Sequence, residues 1–285
     1  MLFSRKIRVI IYGQHSEDWM TALDSTAPVW KLLPNVISVE IAHNDNPPFA
    51  QEGLLKKILS ITCFHRTVII PLMESHLYEM PHNFKSLTAT VDTVALMANK
   101  EKFSSLLIEN GFSSFVPRIY ENIDLVEFPV VIKRTDLNAG QGVRIIRNLM
   151  DFHDAENDPI FENKIYLLQE YVESERDYVA HIIAKNGKIL WSKSFCYSMP
   201  HAETIRTPGI HTAITGYTLN SHTLDVFNKI IKLLKYSGPC NIDFRMSDNE
   251  PKIFEINPRL GGSLMLPESM ADLKENLELI IKHAF

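Results

Sequence analysis

The chain has 285 residues, 45% of them hydrophobic, with 29 Lys plus Arg against 34 Asp plus Glu for a formal net charge of −5. That composition belongs to an ordinary globular protein and excludes disordered, collagen-like and fibrous classes. The weak acidity argues against nucleic acid as the main partner, because a phosphate-tracking protein shows a basic excess or stripe.

In chain order, the apolar runs Ile7–Tyr12, Val36–Ala42 and Thr67–Pro71 read as strands, bounded by Gly13, Asn35 and Pro71. Glu17–Leu33 and Gln51–Ile61 are long enough to be crossover helices between them, which predicts a small parallel α/β unit. No GxGxxG follows the first strand, so a dinucleotide-binding reading has no support. Ala89–Gly111 reads as helix, closed by Asn110-Gly111. Strands follow at Phe128–Arg134 and Gly142–Arg147, joined by a polar loop that contains Gly140, and then a polar helix or loop at Asp151–Asp158. Ile165–Val172 and Tyr178–Ala184 read as strands, with Asn186-Gly187 turning into Ile189–Phe195. Pro200–Tyr217 reads as irregular, His222–Tyr236 as a helix with one apolar stripe, Cys240–Met246 and Lys252–Asn257 as strands, and the chain ends in a helix from about Glu268.

Cys63, Cys196 and Cys240 lie far apart without CxxC or Cys/His metal spacing, and read as reduced thiols packed in strands. The N-terminus lacks the longer apolar region of a signal peptide, and no segment approaches the roughly 20 apolar residues that span a bilayer. A cytoplasmic protein with no membrane partner is the expectation.

The chemistry concentrates in two strands. Asn241, Asp243 and Arg245 share one face of the first, while Glu255 and Asn257 share one face of the second. A hairpin centred on Asn249 would set Asp243 opposite Glu255 and Asn241 opposite Asn257. Two carboxylates facing each other across a strand pair repel, and a divalent cation between them would resolve the conflict. A solvated polar face neutralised by Arg245 is the equal alternative on these residues alone. The sequel Pro258-Arg259-Leu260-Gly261-Gly262-Ser263, a fixed cation followed by a flexible glycine pair, favours a site. Lys133 ends an apolar strand just before the loop with Gly140 and Gly142; this is not a Walker A motif, but it can place a point charge on phosphate.

Taken together and in order, these segments resemble the ATP-grasp superfamily, from about Ala95 to Ser263. The most specific part is Phe254-Glu-Ile-Asn-Pro-Arg-Leu-Gly-Gly, similar to the family's metal-binding strand in carbamoyl phosphate synthetase and biotin carboxylase. The resemblance implies an α/β and α+β chain: an ATP-grasp fold behind a small N-terminal parallel α/β domain. The boundaries would be 1–95 for the N-terminal domain, 96–172 for the lid subdomain with its connecting helices, and 173–285 for the C-terminal subdomain with the metal site. These units account for the whole length, which suits a stand-alone ligase.

Residue by residue, the resemblance makes Lys100 (or Lys102) and Lys133 the phosphate lysines, with Gly140 and Gly142 in the loop over the phosphates. It places adenine at Gln169, Glu170 and Val172, and ribose at Asp177 or Glu175. Asp243, Glu255 and Asn257 would be ligands to Mg²⁺, two ions being expected, with Mn²⁺ as the alternative metal. Arg259 would steady the transferred phosphoryl group, and Arg206 would sit with the substrate. The implied reaction is ATP-dependent joining of a small-molecule carboxylate to an amine through an acyl phosphate. The alternatives are a small-molecule kinase on the same fold and an inactive ATP-binding module. Family members often form homodimers, but no segment of this sequence identifies an interface.

Overall fold

A computed structural model describes residues 6–42, 65–80, 85–137 and 140–285, and in them the strands form three sheets. The first is parallel, in the order β2-β1-β3, from β1 (Lys6–Tyr12), β2 (Val36–Ala42) and β3 (His65–Pro71). The expected helix over Glu17–Leu33 is two helices, Glu17–Leu23 and Pro28–Lys31. Asp24 ends the first by accepting from the Thr26 N–H at 2.8 Å, and Pro28 suits the first turn of the second, where its missing N–H is not needed. The expected helix over Gln51–Ile61 and Cys63 lie outside the described residues.

The single helix expected over Ala89–Gly111 is likewise two, Val91–Ala98 and Lys100–Glu109. Asn99 separates them: its side chain accepts from the Lys102 N–H at 3.0 Å and caps the second helix. The second sheet is antiparallel, in the order β4-β7-β5-β6, with β4 (Ile119–Tyr120), β5 (Val130–Arg134), β6 (Val143–Ile146) and β7 (Tyr166–Glu170). The helix Leu149–Glu156 covers one face of it, packing Phe152 and Ala155 against Val130, Ile132, Ile146 and Leu168.

The third sheet, β10-β9-β8-β11-β12, is antiparallel. It comprises β8 (Arg176–Lys185), β9 (Lys188–Ser198), β10 (Ala213–Tyr217), β11 (Gly238–Ser247) and β12 (Glu250–Asn257). The segment expected to be irregular through Tyr217 therefore ends in an edge strand, which pairs with β9. One face of the sheet, with Tyr178, Ala180, Ile182, Ile242 and Phe244, packs against Phe103 and Leu107 of one helix and Val226, Phe227, Ile230 and Ile231 of the helix Ser221–Leu233. On the other face, Val179, Ile183 and Phe195 join the N-terminal unit's core and the C-terminal helix Met270–His283. The rest of that second face is polar and forms the floor of the site. Cys196 and Cys240 are buried free thiols. Among the described residues no helix is long and apolar enough to cross a membrane.

Candidate active site

Side chains alternate across a sheet, and cross-strand partners share a face. Asp243 pairs with Val179 on one side and Glu255 on the other, and Asn241 pairs with His181 and Asn257. The hairpin turn is Asp248-Asn249, with Ser247 opposite Glu250 and both turn residues at positive φ, the geometry of a tight two-residue turn. Continued regularly, that turn would set Asp243 against Phe254 and put Glu255 on the far face. An irregularity between Asp243 and Phe244, with Phe254 as the extra residue on β12, shifts the register by one. Such bulges re-aim side chains, and here one carries Glu255 and Asn257 onto the face of Asp243.

The Asn257 amide donates to Asn241 Oδ1 and Asp243 Oδ2, each at 3.1 Å. Arg206 binds Asp243 Oδ1 at 2.5 Å and lies 4.0 Å from Asp177, while Lys133 Nζ is 3.6 Å from Glu255. Burial raises the pKa of Asp243, with Arg206 opposing and Glu255 adding to the effect. Burial would also raise that of Glu255, but Lys133 and then Lys100 outweigh it and hold the carboxyl below its ordinary value. Among the described residues no group of three or more His, Cys, Asp and Glu side chains could hold a metal alone. The donor set is two carboxylates and an amide, hard oxygens of the kind Mg²⁺ takes when phosphates and water complete its shell.

Lys133 reaches this point from β5 of the four-stranded sheet. Lys100 is buried and donates to the Leu137 carbonyl at 3.1 Å, at the root of the loop that follows β5, whereas Lys102 is exposed. Burial, and next the charge of Lys133, lower the Lys100 pKa. Gly140 has φ +77°, and a β-carbon there would fall 2.4 Å from the Arg206 carbonyl oxygen, so only glycine lets the loop rest on the Arg206 backbone. Gly142 is equally confined, at φ +62° with Leu137 and Arg134 against it. Asn138 of that loop lies outside the described residues.

Gln169 on β7 is buried and lines the cavity. The Glu170 carboxylate accepts from the Arg118 N–H at 2.9 Å and lies 3.5 Å from Lys252, and the Glu170 N–H donates to the Arg118 carbonyl. Asp177 is held by Arg245, whose guanidinium also donates to the carbonyls of Val172 (2.7 Å), Thr204 (3.0 Å) and Ala202 (3.4 Å). Arg245 thus ties the strand end at Val172 to the segment that carries Arg206. Glu175 enters the fold through its carbonyl, which accepts from the Met199 N–H.

The charge of Arg259 opposes the raised pKa of Asp243, and the side-chain contacts of Arg259 run toward the N-terminal unit. Its Nε lies 3.3 Å from Glu74 of the N-terminal unit, Nη1 donates to the Leu260 carbonyl, and the guanidinium is 5.9 Å from the Trp19 ring. One cavity of about 580 Å³ joins these parts, lined by Lys133, Gln169, Asp177, Arg206, Asp243 and Glu255 among others. Its wall also includes His15, Trp19 and Met73 from the N-terminal unit, and Tyr197, which sequence reasoning had not singled out. Tyr197 lies under the Arg206 guanidinium at 4.8 Å and, like Ser263, lines the cavity. Ser263 is in turn 2.7 Å from Nε2 of His181, a wholly buried imidazole. A β-carbon at Gly261 would fall 2.3 Å from that ring, so the glycine after Leu260 lets the loop pass over it. The Gly261-Gly262-Ser263 signal was visible in sequence; its partner on β8 was not, because the two lie 82 residues apart.

Residues 97–263 match the ATP-grasp domain family, and the chain belongs to it. It is 24% identical over 199 residues to the multifunctional protein URA2 of Saccharomyces cerevisiae, covering 64% of this chain and 9% of that protein. It is 25% identical over 203 residues to the carbamoyl phosphate synthase large chain of Thermoplasma volcanium, covering 65% of this chain and 19% of that one. The chain therefore spans a small fraction of the curated relatives it matches. In fold it is similar to D-alanine–D-alanine ligase from Bacillus anthracis complexed with ATP, with a TM-score of 0.63, 15% identity, and coverage of 98% of this chain and 96% of that one.

Proposed function

We propose that this chain is an ATP-dependent ligase that joins a carboxylate to an amine through an acyl phosphate, releasing ADP and phosphate. The observation that carries the reading is the convergence, in one cavity, of Lys133 from the four-stranded sheet with Asp243, Glu255 and Asn257 from the five-stranded sheet. On this reading the functional units are 1–95, 96–172 and 173–285, with the nucleotide between the last two.

Gln169, Glu170 and Val172 border the base, and Asp177 lies on the ribose side. Lys133 and Lys100 neutralise phosphate oxygens, and the loop with Gly140 and Gly142 covers them and excludes water. Asp243, Glu255 and Asn257 would hold Mg²⁺, which supplies further neutralisation of the triphosphate when bound. A substrate carboxylate oxygen attacks the γ-phosphorus, and the bond from that phosphorus to the β,γ-bridging oxygen breaks to release ADP. An amine nitrogen then attacks the acyl carbon, and phosphate leaves. The chain's work is to hold the reactants in line and to balance charge, with Arg206 and Arg259 flanking the reacting groups.

Hydroxylamine, which converts an acyl phosphate to a hydroxamate, tests the reading without knowledge of the amine. Glu255→Gln and Lys133→Ala should each lower Mg-ATP-dependent hydroxamate formation about 100-fold or more while the far-ultraviolet circular dichroism is kept. Full turnover in either variant overturns the assignment.

A further inference from the structure

The N-terminal unit forms one wall of the cavity, and that wall has a distinct chemistry. The His15 ring stacks on the Trp19 indole with centroids 3.9 Å apart and planes inclined by 16°. Trp19 backs onto the glycine pair, since a β-carbon at Gly262 would lie 3.6 Å from the indole nitrogen. Met73 and Leu266 extend the surface, and Tyr197 faces the same cavity with His211 edge-on at 5.5 Å. Burial, and next the charge of Arg259, lower the His15 pKa and so disfavour the imidazolium form.

A second, independent observation is the charge balance. Four cations line the cavity among the described residues, and each has a carboxylate partner: Lys133 with Glu255, Arg206 with Asp243, Arg245 with Asp177 and Arg259 with Glu74. Asp18 lines the cavity as well. A phosphorylated or polycarboxylate substrate would need further cations beyond those engaged with the nucleotide and the reacting carboxylate, and stripping one of these partly or fully buried ion pairs to supply one is unfavourable.

We propose that the carboxylate taken here is a monocarboxylate with no second anionic group, whose remainder is apolar or aromatic and lies against His15 and the buried Trp19 indole that His15 covers. The assignment rests on the ligation reading above and names its substrate class. The reacting carboxylate faces Arg206 and the phosphate end, and the apolar remainder gains aromatic contact and area burial against the wall.

The experiment compares acids at fixed Mg-ATP with hydroxylamine as nucleophile: hexanoate, leucine, phenylalanine and 3-phenylpropionate against glutarate, citrate and 3-phosphoglycerate. Binding of each acid is measured in parallel by calorimetry with a non-hydrolysable ATP analogue present. The expected result is a kcat/KM at least about tenfold higher for the first group. His15→Ala should raise KM for those acids up to about tenfold, the scale of one aromatic contact, without moving KM for ATP. His15→Glu, which places an anion on the wall, should raise it further. A best substrate among the polyanions, or unchanged KM in both variants, overturns the proposal. Binding in the expected order without hydroxamate refutes ligation and leaves the class of ligand standing. If no acid of the first group binds or yields hydroxamate, the class itself is overturned.

Discussion

His181 offers a test of the site's internal support that needs no substrate. The imidazole is 1% exposed, its Nε2 meets Ser263, and its Nδ1 has no hydrogen-bond partner. Burial first, and then Arg259 and Arg206, push its pKa down to about 3, against an ordinary value of 6.5. The folded chain therefore refuses a proton that the unfolded chain accepts between pH 6.5 and 3. Stability from this group is complete above pH 6.5 and is lost as pH falls toward 3. At pH 5, about 1.5 units below the ordinary imidazole value, protonation of the unfolded state costs the fold about 2 kcal/mol relative to pH 7. Urea unfolding of the wild type and of His181→Gln at both pH values isolates the contribution, because every other titrating group is shared. The wild type should lose about 2 kcal/mol more than the variant over that interval. Parallel losses in the two proteins would refute a neutral, buried His181 and with it the support assigned to Ser263.

Two further outcomes follow from contacts around the same floor. Arg245→Lys keeps the charge but cannot bond Asp177 and three carbonyls at once; it should destabilise the fold by about 2–4 kcal/mol in chemical denaturation and weaken substrate binding through the segment that carries Arg206. Gly261→Ala forces a methyl group toward His181 and should cost about 1–3 kcal/mol in the same measurement, a penalty that shrinks when combined with His181→Ala; simple additivity would contradict the contact.

Much of the architecture was legible because its signals are local. The β-branched runs at Ile7–Tyr12 and Thr67–Pro71, the Asn186-Gly187 turn and the Glu255–Gly262 segment each announce themselves within a few residues. What failed to show depended on small geometric decisions or on distant partners. Asn99 and Asp24 split helices because short polar side chains capture backbone donors, a competition that periodicity does not register. Ala213–Tyr217 carries little apolar alternation, since it is an edge strand mostly open to solvent. The Asp243–Glu255 pairing is a sharper case. A hairpin centred on Asn249 leads to the observed partners, yet the chain reaches them by a tighter turn at Asp248-Asn249 and an extra residue at Phe254. No local pattern distinguishes those two routes, because they differ by one residue at the turn and cancel by one residue at the bulge.

The paired cations explain why the carboxylates belong at the centre of such a site. On the ligation reading, a nucleoside triphosphate would bring several negative charges into a cavity whose Lys133 and Arg206 are already engaged by Glu255 and Asp243. Those two side chains can turn to phosphate or substrate oxygens only if another cation satisfies the carboxylates they leave, because a buried carboxylate without a partner is strongly unfavourable. On the ligation reading, then, Asp243 and Glu255 do more than supply oxygen ligands: they hold Lys133 and Arg206 in reserve, and they couple the release of both to arrival of the metal–nucleotide pair. Loss of Glu255 would free Lys133 permanently, while Arg206 without Asp243 would keep Asp177 at 4.0 Å; in either variant nucleotide could still bind on charge while the ordered geometry for transfer is lost.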